Sequence, residues 1–215
     1  MATFLTLQAP EPRDAQPLLS RLLDDGAGRR LDGLLHGEPV VRGSRLPAGF
    51  AGVVDLDANP RTLPEHAATR YDLRPASDEL AEALALPLPA PRVVFAMVGA
   101  ERVVDAGYGV GLDLNATVNA RQVADFLAVL VHTEVGFVAR VADAAGVLQV
   151  LAATVAALRG DDVAAAWRAP DVVGVRGVSD PAARALREVL RSIEVPDACE
   201  VVAALAGSGL AQPRR

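Results

Sequence analysis

Carboxylates, histidines, glycines and a single cysteine are the residues of this chain that could carry chemistry. Asp55 and Asp57 follow the apolar run Gly52 to Val54, so two carboxylates stand at the end of a candidate strand. Gly107, Gly109 and Gly111 spell GxGxG, but a dinucleotide fingerprint sets its glycines between a strand and a helix N-terminus. Here they alternate with Tyr108 and Val110 inside a strand, where glycine lets a neighbouring side chain or backbone come close. His36, His66 and His132 lie in unrelated segments with no i+4 or CxxC-type partner, so no metal site is expected. His132, near Glu134, falls at a helix end, where an imidazolium suits the dipole. Cys199 reads as a small buried residue within a helix, and no GxSxG nucleophile elbow occurs. Arg159-Gly160-Asp161 and the sequon Asn115-Ala116-Thr117 are short enough to arise by chance.

Residues 52–57, with Asp55-Leu56-Asp57 at their end, resemble the first motif of haloacid dehalogenase-type phosphohydrolases. The resemblance implies Asp55 as nucleophile and Asp57 as general acid, with Mg²⁺ bridging the oxygens. It departs at Asn59-Pro60, where that family carries threonine or valine two residues after the second aspartate. Asp161 and Asp162 could stand for its late acidic motif, but they follow a helix and a glycine rather than a strand. The expectation is a polar strand end with a turn; the catalytic pair is the alternative.

The clearest periodic signals lie between Arg92 and Asp143. Arg92 to Val98 is a nearly continuous apolar run bounded by Pro91 and Gly99, which reads as a buried strand. Tyr108, Val110, Leu112 and Leu114 alternate with glycine and Asp113, giving a strand over 107–114. Asn119 followed by Gln122 forms a capping box, and Val123, Phe126, Leu127 and Leu130 make one stripe of a helix over 120–131. Phe137, Ala139 and Val141 mark a third strand, so the expected centre is β-β-α-β.

Around this centre the pattern predicts strands near 3–8, 50–56 and 69–73, and a helix capped by Asp14 that carries Leu18, Leu19, Leu22 and Leu23. Glu38 to Gly52 reads as loop, with one extended piece at Val40 and Val41. Asp143 caps an alanine-rich helix to Arg159 that is either buried on several sides or faces a partner. Residues 170–178 read as an edge strand. Helices over 181–193 and 197–206 follow, spaced like a helix-turn-helix, although the second carries no arginine. The expected fold is α+β: a mixed, mostly antiparallel sheet in residues 1–143 with helices on one face, and an Ala-rich helical C-terminal segment, 144–215, packed on it as one compact unit.

The chain has 215 residues and a formal charge of −6, and all 21 of its basic residues are arginine. An acidic balance does not favour nucleic acid or anionic membrane, and the absence of lysine removes Schiff-base chemistry and a P-loop lysine. No secretory leader and no run long enough to span a bilayer is read, so a cytoplasmic location is expected. By elimination the sequence points to a non-catalytic binding protein with a protein partner, of an inhibitor or immunity-like kind, with no cofactor and no metal. A homodimer through the 144–158 helix is a further expectation. The alternatives are the Asp55/Asp57 phosphohydrolase and a DNA-binding regulator using the last two helices.

Overall fold

In a computed structural model, which describes residues 18–116 and 118–210, eight strands close into one barrel. They are β1 (Leu23–Asp25), β2 (His36–Arg42), β3 (Phe50–Leu56), β4 (His66–Leu73), β5 (Arg92–Phe95), β6 (Gly109–Asp113), β7 (Phe137–Arg140) and β8 (Leu190–Val195). Each pairs in parallel with the next, and β1 pairs with β8 to complete the ring. This is a TIM-barrel-like architecture, and it overturns the mostly antiparallel α+β sheet with helices on one face and an all-helical C-terminal segment packed on it. The segment after Asp143 supplies β8, which lies between β7 and β1.

The helices are unevenly spread. Between β1 and β4 the connections hold only turns and single 3₁₀ segments. Beyond β4 come α1 (Leu80–Ala85), α2 (Ala100–Asp105) and α3 (Ala120–Leu130), then α4 (Ala144–Arg159), α5 (Val163–Arg168), α6 (Val172–Arg176) and α7 (Asp180–Val189) before β8, and finally α8 (Ala198–Leu205). The α3 capping box forms as its sequence predicts: the Asn119 side chain accepts from the Arg121 and Gln122 amides, and the Gln122 side chain accepts from the Asn119 amide. Asp143 caps α4 through the Gly146 amide, and Gly160, at φ 74°, ends it. The apolar core lies between wall and helices, where Leu127, Leu130, Leu151, Leu186, Leu190 and Ile193 are fully buried. Packing against α3, α5, α7 and α8 covers the alanine faces of α4, so they are buried on several sides within the chain. On the helix-poor side, Leu46, Leu63, Ala83 and Leu86 cover the outward residues Val54, Tyr71 and Leu73.

Several local expectations change with the fold. The strands 50–56, 69–73, 92–98, 107–114 and 136–141 are present within a residue or a few, but α2 joins β5 to β6 as a parallel crossover instead of a turn. The apolar run through Leu22 enters β1 rather than continuing as a helix, and the supposed edge strand at 170–178 contains α6, capped by Asp171. The supposed second-last helix stops at Val189, and β8 separates α7 from α8, so no helix-turn-helix exists. Its misreading has a physical source. The β7–β8 register shifts around Val138, so Leu190, Ser192 and Ile193 depart from strict alternation, and Leu186, Val189, Leu190 and Ile193 then imitate a helical stripe. The strand expected at 3–8 and the Asp14 cap lie outside the described residues. Among the described residues no helix is long and apolar enough to cross a membrane.

Candidate active site

Apolar–charged–apolar triplets end most strands of this barrel: Val54-Asp55-Leu56, Tyr71-Asp72-Leu73, Leu112-Asp113-Leu114, Ala139-Arg140-Val141 and Ile193-Glu194-Val195. Because neighbouring side chains on a strand point to opposite faces, the apolar members meet the helices and loops, and the charged ones turn into the barrel. The result is a polar interior. Asp24, Asp55, Asp72, Arg140 and Ser192 are all buried there.

Two linked clusters fill this space. In the deeper one, Arg70 donates from Nε to Asp72 Oδ1 at 2.7 Å, from Nη2 to Asp24 Oδ2 at 3.1 Å, and from Nη1 to Ser192 Oγ at 3.1 Å. Asp24 also accepts from the Glu38 amide at 2.8 Å. Nearer the C-terminal ends of the strands, Arg140 donates from Nη2 to Glu194 Oε2 at 2.6 Å, with Asp55 at 3.8 Å and Asp72 at 3.9 Å from the same nitrogen. Arg74, at the end of β4, pairs with Asp55 from the rim. Asp72 therefore stands between Arg70 and Arg140 and joins the two clusters.

Arg140 is held from below as well. Its guanidinium lies 4.4 Å from the centre of the Phe95 ring. Phe95, with Val93 and Val138, is the apolar part of the interior. Gly111 makes this placement possible: a Cβ there would overlap the Phe95 ring, and one at Gly109 would crowd Val93. The glycine alternation in β6 thus serves close packing, as its pattern implies, and it does so beneath the charged cluster.

Four carboxylates, Asp24, Asp55, Asp72 and Glu194, share this network with three guanidiniums, Arg70, Arg74 and Arg140. One negative charge is left unbalanced, and burial makes that costly. A bound proton relieves it. Burial pushes Glu194 up to about 7, against the pull of Arg140, while Asp72 and Asp55 add to the rise. Burial also raises Asp24 despite the Arg70 guanidinium beside it. For Arg140, burial favours the neutral form, but Glu194, Asp55 and Asp72 outweigh it and keep the guanidinium charged.

A cavity of about 340 Å³ opens over this upper cluster, lined by Arg42, Asp55, Arg74, Asp113, Arg140 and Glu194, with Gly26 and Pro196 at its edge. It lies at the C-terminal ends of the strands, the end at which barrels of this architecture place their reacting groups. Nε and Nη1 of Arg140 and Oδ1 of Asp55 are buried without a hydrogen-bond partner among the described residues. The helix that follows β8 does not supply an anion cup. Asp25 accepts from the Ala198 amide, Asp197 caps α8 through the Glu200 amide, and Arg29 bridges both carboxylates. Any negative charge on a ligand must therefore meet the arginines.

The residues singled out in the sequence have different fates. Asp55 enters the site, but Asp57 does not. The Asp57 carboxylate, just beyond β3, accepts from the Ser44 amide and hydroxyl, both at 2.7 Å, and so fastens the 3₁₀ turn that follows β2. His66 is tied to Tyr71 Oη at 2.6 Å and to the Pro64 carbonyl. His132 stands exposed with no hydrogen bond to Glu134, and Cys199 is exposed near the start of α8 rather than buried. Among the described residues no group of three or more His, Cys, Asp or Glu could hold a metal ion. Arg70, Asp72, Arg140 and Glu194 escaped sequence reasoning. The recurring triplets were the signal for Asp72, Arg140 and Glu194, since five strand ends with one charged residue between two apolar ones require a shared polar interior, whereas Arg70, between Thr69 and Tyr71, carries no such mark.

No family model, no curated protein and no solved structure matches this chain. The site must be read from its own chemistry.

Proposed function

We propose that the protein is an enzyme that transfers a proton on a small carboxylate at the C-terminal mouth of its barrel. Arg140 and Arg74 orient the substrate carboxylate, because a guanidinium matches it as a planar fork of donors. Glu194 gives or takes the proton, since a carboxyl that titrates near neutrality serves in both directions. Asp55 fixes Arg74, and its free oxygen can accept from a substrate hydroxyl. One observation carries this reading: Glu194, raised to about 7, stands 2.6 Å from Arg140, a residue that lines the cavity and whose two other donor nitrogens are buried and unpartnered among the described residues. An ion-pair network with no function beyond stability would be expected to use up its donors.

Among the described residues, the exposed large apolar ones, Leu34, Val98 and Val173, are on separate segments, and α4 has its alanine faces covered within the chain, so they give an inhibitor-like reading less support than the mouth gives to catalysis. A panel of small 2-oxo and 2-hydroxy carboxylates in deuterated water tests the proposal, with loss of the proton next to the carboxylate followed by NMR. Exchange is expected for at least one member, falling about 100-fold or more in Glu194→Gln, while Arg140→Met loses binding. Exchange that Glu194→Gln leaves intact would falsify the assignment.

A further inference from the structure

A second polar cavity, about 330 Å³, opens at the opposite, N-terminal end of the barrel. Barrels of this kind use that end for stability, so a cavity of nearly the same size as the mouth needs its own account. Three arginines line it from parts of the chain that only barrel closure brings together: Arg21 before β1, Arg30 between β1 and β2, and Arg191 at the start of β8. Arg70, Asp24 and Ser192 of the interior line it too.

The lining carries four arginines, Arg21, Arg30, Arg70 and Arg191, against three carboxylates, Asp24, Asp32 and Glu38, which leaves one positive charge in excess. Among the described residues no ion pair joins Arg21, Arg30 or Arg191 to a carboxylate. Arg30 donates to the Ala51 carbonyl at 3.1 Å and Arg191 to the Glu134 carbonyl at 3.2 Å, neutral acceptors outside the cavity lining that leave each guanidinium without an ion pair. Asp24, which lines the cavity, is already engaged with Arg70 and the Glu38 amide. Nδ1 of His36 and Oε2 of Glu38 are buried there without a partner. Arg21 adds a backbone observation. Its φ of 56° lies in the left-handed region, and its amide donates to the Leu34 carbonyl at 2.7 Å. Glycine would hold that conformation at lower cost. What arginine adds at this position is the guanidinium.

We propose that this N-terminal cavity binds a small phosphate-bearing compound that also carries a hydroxyl, the phosphate held by Arg21, Arg30 and Arg191 and the hydroxyl donating to Glu38. Three unpaired guanidiniums suit a dianion with three acceptor oxygens. The unpaired Glu38 oxygen needs a donor, which the carbon-borne hydroxyl of an ester can bring to it while the phosphate stays among the arginines.

Calorimetric titration of the whole chain with inorganic phosphate and with glycerol 3-phosphate tests this. Both are expected to bind, the ester more tightly, with a preference that Glu38→Met, which has no oxygen to accept the hydroxyl, removes. Arg21→Gly is expected to weaken both at least about tenfold with an unchanged or raised Tm, because it removes the guanidinium while relieving the backbone. Arg74→Ala, at the far mouth, should leave both affinities as they are. Failure of the unmutated protein to take up either probe overturns the site, as does binding unchanged in Arg21→Gly or removed by Arg74→Ala. Equal affinity for the two probes overturns the role of Glu38.

Discussion

Along β8, alternate residues meet two different surroundings. Ile193 and Val195 face outward into the apolar layer beneath the helices, while Ser192 and Glu194 face inward onto Arg70 and Arg140. The same division runs round the wall, with Leu112, Ala139 and Leu23 outside and Asp72, Arg140 and Asp24 inside. Outside, burial of each large aliphatic side chain stabilises the fold by about 1.5–3 kcal/mol. Inside, attraction between buried charges is largely offset by the loss of their hydration. The outer layer therefore holds the barrel together, and the inner one is better explained by what its charges can bind or transfer.

The largest test of that contrast is Arg70→Met. It would leave Asp24 and Asp72 buried without their guanidinium, and the expected loss is about 3–5 kcal/mol in urea unfolding at neutral pH. A loss below about 1 kcal/mol would mean that the inner charges are dispensable to the fold.

The next separates the layers by pH. Glu194 has its folded pKa raised from the usual 4.5 to about 7. Its contribution to stability is thus fully present below the unfolded value and is lost as pH rises through the folded one. Between about pH 5 and 8, Glu194→Gln should gain on the unmutated protein by up to about 3 kcal/mol, as read by paired denaturation curves. Leu151→Ala, in the outer layer, should cost the same at both pH values. If both differences are flat with pH, Glu194 titrates as an ordinary carboxyl and the acid–base role loses its basis. The smallest effect is expected at an exposed helix end of the outer layer, where Asn119→Ala removes one half of the α3 capping box and should cost about 1 kcal/mol, measured as a shift in Tm.

How much of this was legible varies with position. β3 was bounded correctly because Phe50 and Leu56 sit between glycine- and proline-rich turns. α3 and α4 were legible because their caps and stripes are local, and the local signal agreed with the tertiary result. β1 was hidden by its length of three residues, too few to show a period. β8 was hidden by its irregular register. The direction of pairing went wrong for a more general reason. Parallel barrel strands are ordinarily apolar on both faces, and alternation ordinarily means one face in water. Here the alternation came from charges pointing into a closed interior, so sequences such as Tyr71-Asp72-Leu73 looked half-exposed when Asp72 is fully buried. Of the site, only Asp55 was in view, and its apparent companion Asp57 belongs to a turn.

The sequence by itself determined where several helices start and stop and which side of each strand is apolar, because caps and periodicity act over a few residues. Tertiary structure alone decided what the other side faces. Strand alternation states that two environments differ, not whether the polar one is solvent or an enclosed ring of charge. Only closure of β1 onto β8 brings Asp24, Arg70, Arg140 and Glu194 together across as much as 170 positions, and with them the burial that raises Glu194.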